Sequence, residues 1–69
     1  MYMRLDRVKM FTAMGLAGMN QKEVAESQGM SRATVSAVYN GKTCSPATAR
    51  KIADALGVTV ESLLENKAQ

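Results

Sequence analysis

The sequence predicts an all-α fold, a compact bundle of five short helices. Three observations predict it. Apolar residues recur at helical spacing, and no strand-like alternation lasts long enough to build a sheet. Glycine, asparagine, serine and the single proline fall where helices would start and stop. Hydrophobic residues make up 46% of 69, enough for the core of one small domain, but only Tyr2, Phe11 and Tyr39 are aromatic. The core is therefore aliphatic and rich in methionine, with Met10, Met14 and Met30 as its expected fillers.

Helix one is expected from Arg4 to Met14. Leu5, Val8 and Phe11 would share one face, with Met10, Ala13 and Ala17 as an adjacent stripe. Helix two begins after Asn20, an N-cap residue, with Glu23 three positions on to complete a capping box. Val24 and Ala25 face inward, and Gly29 suits the left-handed position past the helix end. Helix three runs from Arg32 to Tyr39, capped by Ser31 and closed by Asn40-Gly41, with Val35 and Val38 as anchors. Helix four starts at Ser45-Pro46, where proline at the first helical position loses no needed donor. Ala49, Ile52, Ala53 and Leu56 form its buried stripe, and Gly57 ends it. Helix five follows Thr59, with Val60, Leu63 and Leu64 on its apolar side and residues 66–69 as a tail.

Composition removes several function classes. There is no histidine and one cysteine, so neither a structural zinc site nor a Ser-His or Cys-His pair can be assembled. No metal, cofactor or catalytic residue is expected. Glu23 and Glu26 lie on one helix surface and read as capping and surface groups. A lone cysteine forms no internal disulfide, which fits a reducing cytoplasmic compartment. Cys44 is expected to be an exposed or half-exposed free thiol. The uncharged stretch from Met10 to Gln21 is too short to span a bilayer, and Arg4, Asp6, Arg7 and Lys9 interrupt any leader-like pattern.

Function is legible between Gln21 and Gly41. Two short helices meet at the tight turn Gly29-Met30-Ser31. Ala25 is small, which lets the second helix cross close to the first, and Val35 packs back to fix the crossing angle. Two helices so joined are the pattern of a DNA-binding helix-turn-helix. Charge agrees: residues 20–51 carry five basic and two acidic side chains, whereas residues 52–69 carry one basic and three acidic.

From Asn20 to Leu64 the chain resembles the Cro/C1-type helix-turn-helix family, also called XRE. The resemblance rests on Asn20-Gln21-Lys22-Glu23-Val24-Ala25, Gly29-Met30-Ser31, Val35-Ser36, Asn40-Gly41-Lys42, Pro46 and the run from Ala53 to Leu64. It implies a lambda repressor-like bundle filling residues 1–69 as one domain, with no appended effector domain, and binding to duplex DNA. Helix three becomes the recognition helix in the major groove. The resemblance places Arg32, Ala33, Thr34 and Ala37 against bases, with Gln21 beside them. Arg32 alone suits a bidentate contact with guanine. Asn20 and Gln21, at a helix N-terminus, are expected to hold phosphate on one side of the groove. Asn40, Lys42 and Thr43 are expected to hold it on the other.

Many family members pair an arginine near the end of helix one with a glutamate near the end of helix three. Met14 and Tyr39 stand at those positions, so an apolar contact is expected in place of the ion pair. By resemblance to phage repressors, two copies pair through the C-terminal end, with Val58 and Leu64 nearest the partner. These features point to a transcriptional regulator, a repressor bound to a short operator as a homodimer. The alternative is an antitoxin that binds a toxin chain and regulates its own operon.

Overall fold

The computed structural model describes residues 2–64. Among them it contains four helices: α1 (Arg7–Ala17), α2 (Gln21–Ser27), α3 (Arg32–Tyr39) and α4 (Pro46–Leu56). Their buried faces close on one core, in which Leu5, Met10, Val24, Val35, Ile52 and Leu63 are the largest fully buried side chains.

Local chemistry sets the ends of α2, α3 and α4 where the sequence places them. The Asn20 side chain accepts from the Glu23 backbone N–H at 2.8 Å, and Glu23 accepts from the Asn20 N–H at 2.9 Å, which completes the capping box. Ser31 caps α3 by accepting from the Ala33 N–H at 3.2 Å, and Ser45 caps α4 by accepting from the Thr48 N–H at 3.3 Å. Past α2, Gly29 takes φ 63° while Met30 N–H donates back to the Ala25 carbonyl at 2.8 Å. That closure lets the chain reverse within three residues and start α3. Val24, Ala25 and Val35 are each 2% exposed or less, so the crossing of α2 and α3 is made by the small and branched side chains named from the sequence.

Helix one departs from expectation. Asp6 is its N-cap, accepting from the Lys9 N–H at 2.9 Å, so α1 starts at Arg7 and runs on to Ala17. Leu5 therefore lies before the helix. It is 1% exposed, whereas Val8 and Phe11, expected on the same face, are 70% and 68% exposed. Met10, Ala13 and Met14 make the buried face, and Ala17 is exposed. Met30 is half-buried at the edge of the core.

Residues 3–6 instead form an extended clasp. Met3 exchanges two backbone hydrogen bonds with Cys44, at 2.8 and 2.7 Å. Leu5 bridges Leu64, the Asp6 N–H donates to the Leu63 carbonyl at 2.7 Å, and the Lys9 Nζ donates to the Leu64 carbonyl at 3.0 Å.

The expected fifth helix is replaced among the described residues by a run of tight turns. Thr59 caps as expected, its Oγ1 accepting from the Ser62 N–H at 3.2 Å. The bonds that follow, Leu63 N–H to Val60 carbonyl and Leu64 N–H to Glu61 carbonyl, span three residues rather than four. Docking of Leu63 into the core and of its carbonyl onto Asp6 holds the segment in that form. The expected tail, residues 66–69, lies outside the described residues.

Cys44 also corrects the sequence reading. It is 5% exposed, covered where the clasp crosses the loop before α4, and burial pushes its thiol pKa up. The thiolate is the reactive form, so iodoacetamide should alkylate Cys44 slowly in the folded chain and rapidly once denaturant opens it. A reaction as fast as that of free cysteine would place the thiol at the surface. The neutral thiol is the form the fold favours. Its contribution to stability is whole below the unfolded pKa and is lost as pH rises through the higher folded value.

Candidate nucleic-acid interface

Every residue expected to meet DNA lies at the surface. Arg32, Ala33 and Thr34 are exposed on the first turn of α3, and Ala37 is half-buried one turn on. Asn20, Asn40, Lys42 and Thr43 are exposed, and Gln21 is half-buried. The expected outward and inward faces of α3 are thus both realised, because Val35 and Val38 hold the helix down from the opposite side.

Two grooves flank the helix. One, of about 550 Å³, brings Arg32 together with Asn20, Gln21 and Lys22. The other, of about 380 Å³, brings Ala33, Thr34 and Ala37 together with Lys42 and Thr43. The first turn of α3 thus stands between two walls that carry cations and amide or hydroxyl groups. Lys22 was not singled out by the sequence reading. Its place at the second residue of α2, beside Gln21, was the available signal.

Backbone geometry fixes the second wall. Gly41 takes φ 103°, its N–H donates to the Val38 carbonyl at 3.0 Å, and the Lys42 N–H donates to the Ala37 carbonyl at 3.0 Å. Lys42 is thereby tied to the end of the same helix that presents Arg32. The Asn40 side-chain amide donates to the Ser36 carbonyl at 2.9 Å. An amide nitrogen carries two donors, so that capping bond leaves one hydrogen for another acceptor.

The position of the family ion pair is filled differently. Met14 is 9% exposed in the core, Tyr39 packs against that core, and both line the groove that holds Arg32. The Arg7 guanidinium lies over the Tyr39 ring, 5.1 Å from its centroid. A cation from α1 still meets the end of α3, but through an aromatic face rather than a carboxylate. Sequence reasoning did not find this, since Arg7 sits two turns from the family position.

The model of the helix-turn-helix family matches residues 12–63, which span α2, the turn, α3 and α4. The chain belongs to this Cro/C1-type helix-turn-helix family. No curated protein matches. Three solved structures share the fold: a variant of hydroxyethylphosphonate dioxygenase, with a TM-score of 0.79, and PhpD with cadmium, alone and with hydroxyethylphosphonate, each at 0.78. All three are 22% identical and align over 97% of this chain. The chain spans 15% of the length of those proteins, so the likeness is one of fold. Helix-turn-helix domains of this family are DNA-binding regulator domains rather than catalytic ones. No helix among the described residues is long and apolar enough to cross a membrane.

Proposed function

We propose that this helix-turn-helix chain is a sequence-specific repressor that occupies a short duplex operator as a homodimer in the cytoplasm. The observation that carries the proposal is the exposed first turn of α3, with Arg32 at its start and, on each side, a groove that carries a lysine with amide or hydroxyl groups. Arg32 reads guanine through O6 and N7. Thr34 donates to a base or touches a thymine methyl, Ala33 and Ala37 offer apolar contact or close approach, and Gln21 meets a base beside them. Asn20 and Gln21 on one side, and Asn40, Lys42 and Thr43 on the other, hold phosphates and set the register. Val58 and Leu64, both half-buried, belong to the surface through which two copies pair. Two copies then read half-sites about one helical turn, ~34 Å, apart.

Selection of bound duplexes from a random pool, followed by variant binding, tests this. Arg32→Ala should cost about 1–3 kcal/mol per half-site and relax preference at one guanine. Lys42→Ala should weaken all sequences about equally. Recovery of the same guanine by the Arg32→Ala variant would remove Arg32 as its reader, and absence of any enriched sequence would remove the function.

A further inference from the structure

We infer that Tyr2 is a further contact to the DNA backbone, its hydroxyl donating to a phosphate of the strand that Lys42 and Thr43 hold. The inference rests on the DNA reading above. It adds to that reading a residue that lies before α1, outside the helix-turn-helix.

Tyr2 is 71% exposed, so the core does not hold its ring. Its backbone is nonetheless anchored. The next residue, Met3, exchanges two backbone hydrogen bonds with Cys44, at 2.8 and 2.7 Å. Cys44 directly follows Lys42 and Thr43 in the loop between α3 and α4. Chain ends are poorly ordered unless tied down. This end is tied, and the tie is to the loop that carries one phosphate wall. A tyrosine on such an anchor has two side-chain torsions to fix, so ordering it against a ligand costs little.

The groove of about 380 Å³ beside α3 brings Tyr2 to the proposed interface. Helix α3 contributes Ala33, Thr34 and Ala37 to its lining, the loop contributes Lys42 and Thr43, and the clasp contributes Tyr2. Ala33 and Ala37 end at a methyl, so α3 leaves the hollow open. Among the described residues that line it, Tyr2 and Lys42 are the long side chains. A single exposed aromatic is ordinary on a protein surface. The weight here falls on its place, in one hollow with five residues assigned to DNA.

The chemistry of the hollow selects an anion. Its described lining holds Lys42 and a series of hydroxyls, with no carboxylate among them. The Ser45 and Thr48 hydroxyls are engaged with each other at 3.2 Å and with the cap of α4, which leaves Thr34, Thr43 and Tyr2 toward the outer rim. Tyrosine donates to phosphate oxygens as lysine and threonine do. Tyr2 shares its anchor with Lys42 and Thr43, the phosphate-holding pair, whereas base contacts come from α3. A strand that reaches Lys42 and Thr43 therefore passes the groove that Tyr2 lines.

Tyr2→Phe keeps the ring and removes only the donor. On a duplex selected by the wild type it should weaken binding about tenfold per half-site at fixed salt, the effect of one hydrogen bond to a charged acceptor. It should select the same site as the wild type, because phosphate contacts carry no sequence information. Its salt slope should match that of the wild type, since a hydroxyl displaces no counterion, whereas Lys42→Ala should reduce the slope by about 1 per half-site. In a set of duplexes with one neutral methylphosphonate linkage each, one linkage should cost the wild type about tenfold more than it costs Tyr2→Phe. Tyr2→Ala should lose at least as much affinity as Tyr2→Phe, with circular dichroism unchanged. Equal affinity of Tyr2→Phe and wild type overturns the inference and leaves the DNA reading standing. A loss that maps to no single linkage, or one that changes the selected sequence, overturns it as well. A wild type that enriches no duplex removes the DNA reading itself, and the role of Tyr2 with it.

Discussion

Binding to a selected operator should weaken about a thousandfold as salt rises from about 50 to about 200 mM. The expectation follows from the cations that border the recognition helix. Each copy presents Arg32 and Lys22 on one groove and Lys42 on the other. Two copies bring roughly six cations to the duplex, four of them lysines placed for phosphates and two the groove-inserted Arg32, and the condensed counterions they displace give a log–log slope of about −5. Acidic side chains oppose this weakly. Glu23 is held in the capping box with Asn20, and the acidic excess of the chain lies after residue 52. The slope is measured by titrating a labelled duplex at several salt concentrations. A slope near zero would exclude nucleic acid as the partner. A slope about half as steep on a single half-site would show that each copy contributes equally.

The parts of the fold that sequence reveals are those set by neighbouring residues. Asn20 with Glu23, Ser31 before Arg32 and Ser45 before Pro46 each satisfy helix donors within three positions, so α2, α3 and α4 begin where those residues stand. Asp6 is the same kind of signal at α1, yet the apolar residues on both sides of it read as one continuous helix. The rest depends on partners far along the chain. Met3 finds Cys44, and Leu5 finds Leu64. No local pattern encodes those pairings. For that reason the clasp, the burial of Cys44 and the tight-turned form of residues 59–64 emerge only from the structure.

The candidate interface divides along the same line. Which α3 side chains face outward follows from helical spacing against Val35 and Val38, and the structure keeps that assignment. The two grooves and the stacking of Arg7 on Tyr39 need the third dimension. Helix α1 is the limiting case. It is apolar at nearly every angle, so periodicity cannot tell its core side from its outward side, and spacing puts Val8 and Phe11 on the wrong one.

Leu5→Ala should destabilise the domain by about 2–5 kcal/mol, and Val8→Ala by less than about 0.5 kcal/mol. Spacing alone puts both leucine and valine on one helical face, with similar costs. The structure separates them. Leu5 is 1% exposed, held in the core by the clasp, and truncating its side chain leaves a cavity there. Val8 is 70% exposed and loses little contact in a single chain. Alanine also has the better helix propensity, by a few tenths of a kcal/mol, which offsets the loss. Small domains have about 5 kcal/mol or somewhat more in total, so Leu5→Ala should lower the melting temperature by about 10 °C or more. Urea unfolding at micromolar concentration measures both changes through the midpoint at unchanged slope. Equal losses for the two variants would return Leu5 and Val8 to one face and remove the clasp as a source of stability.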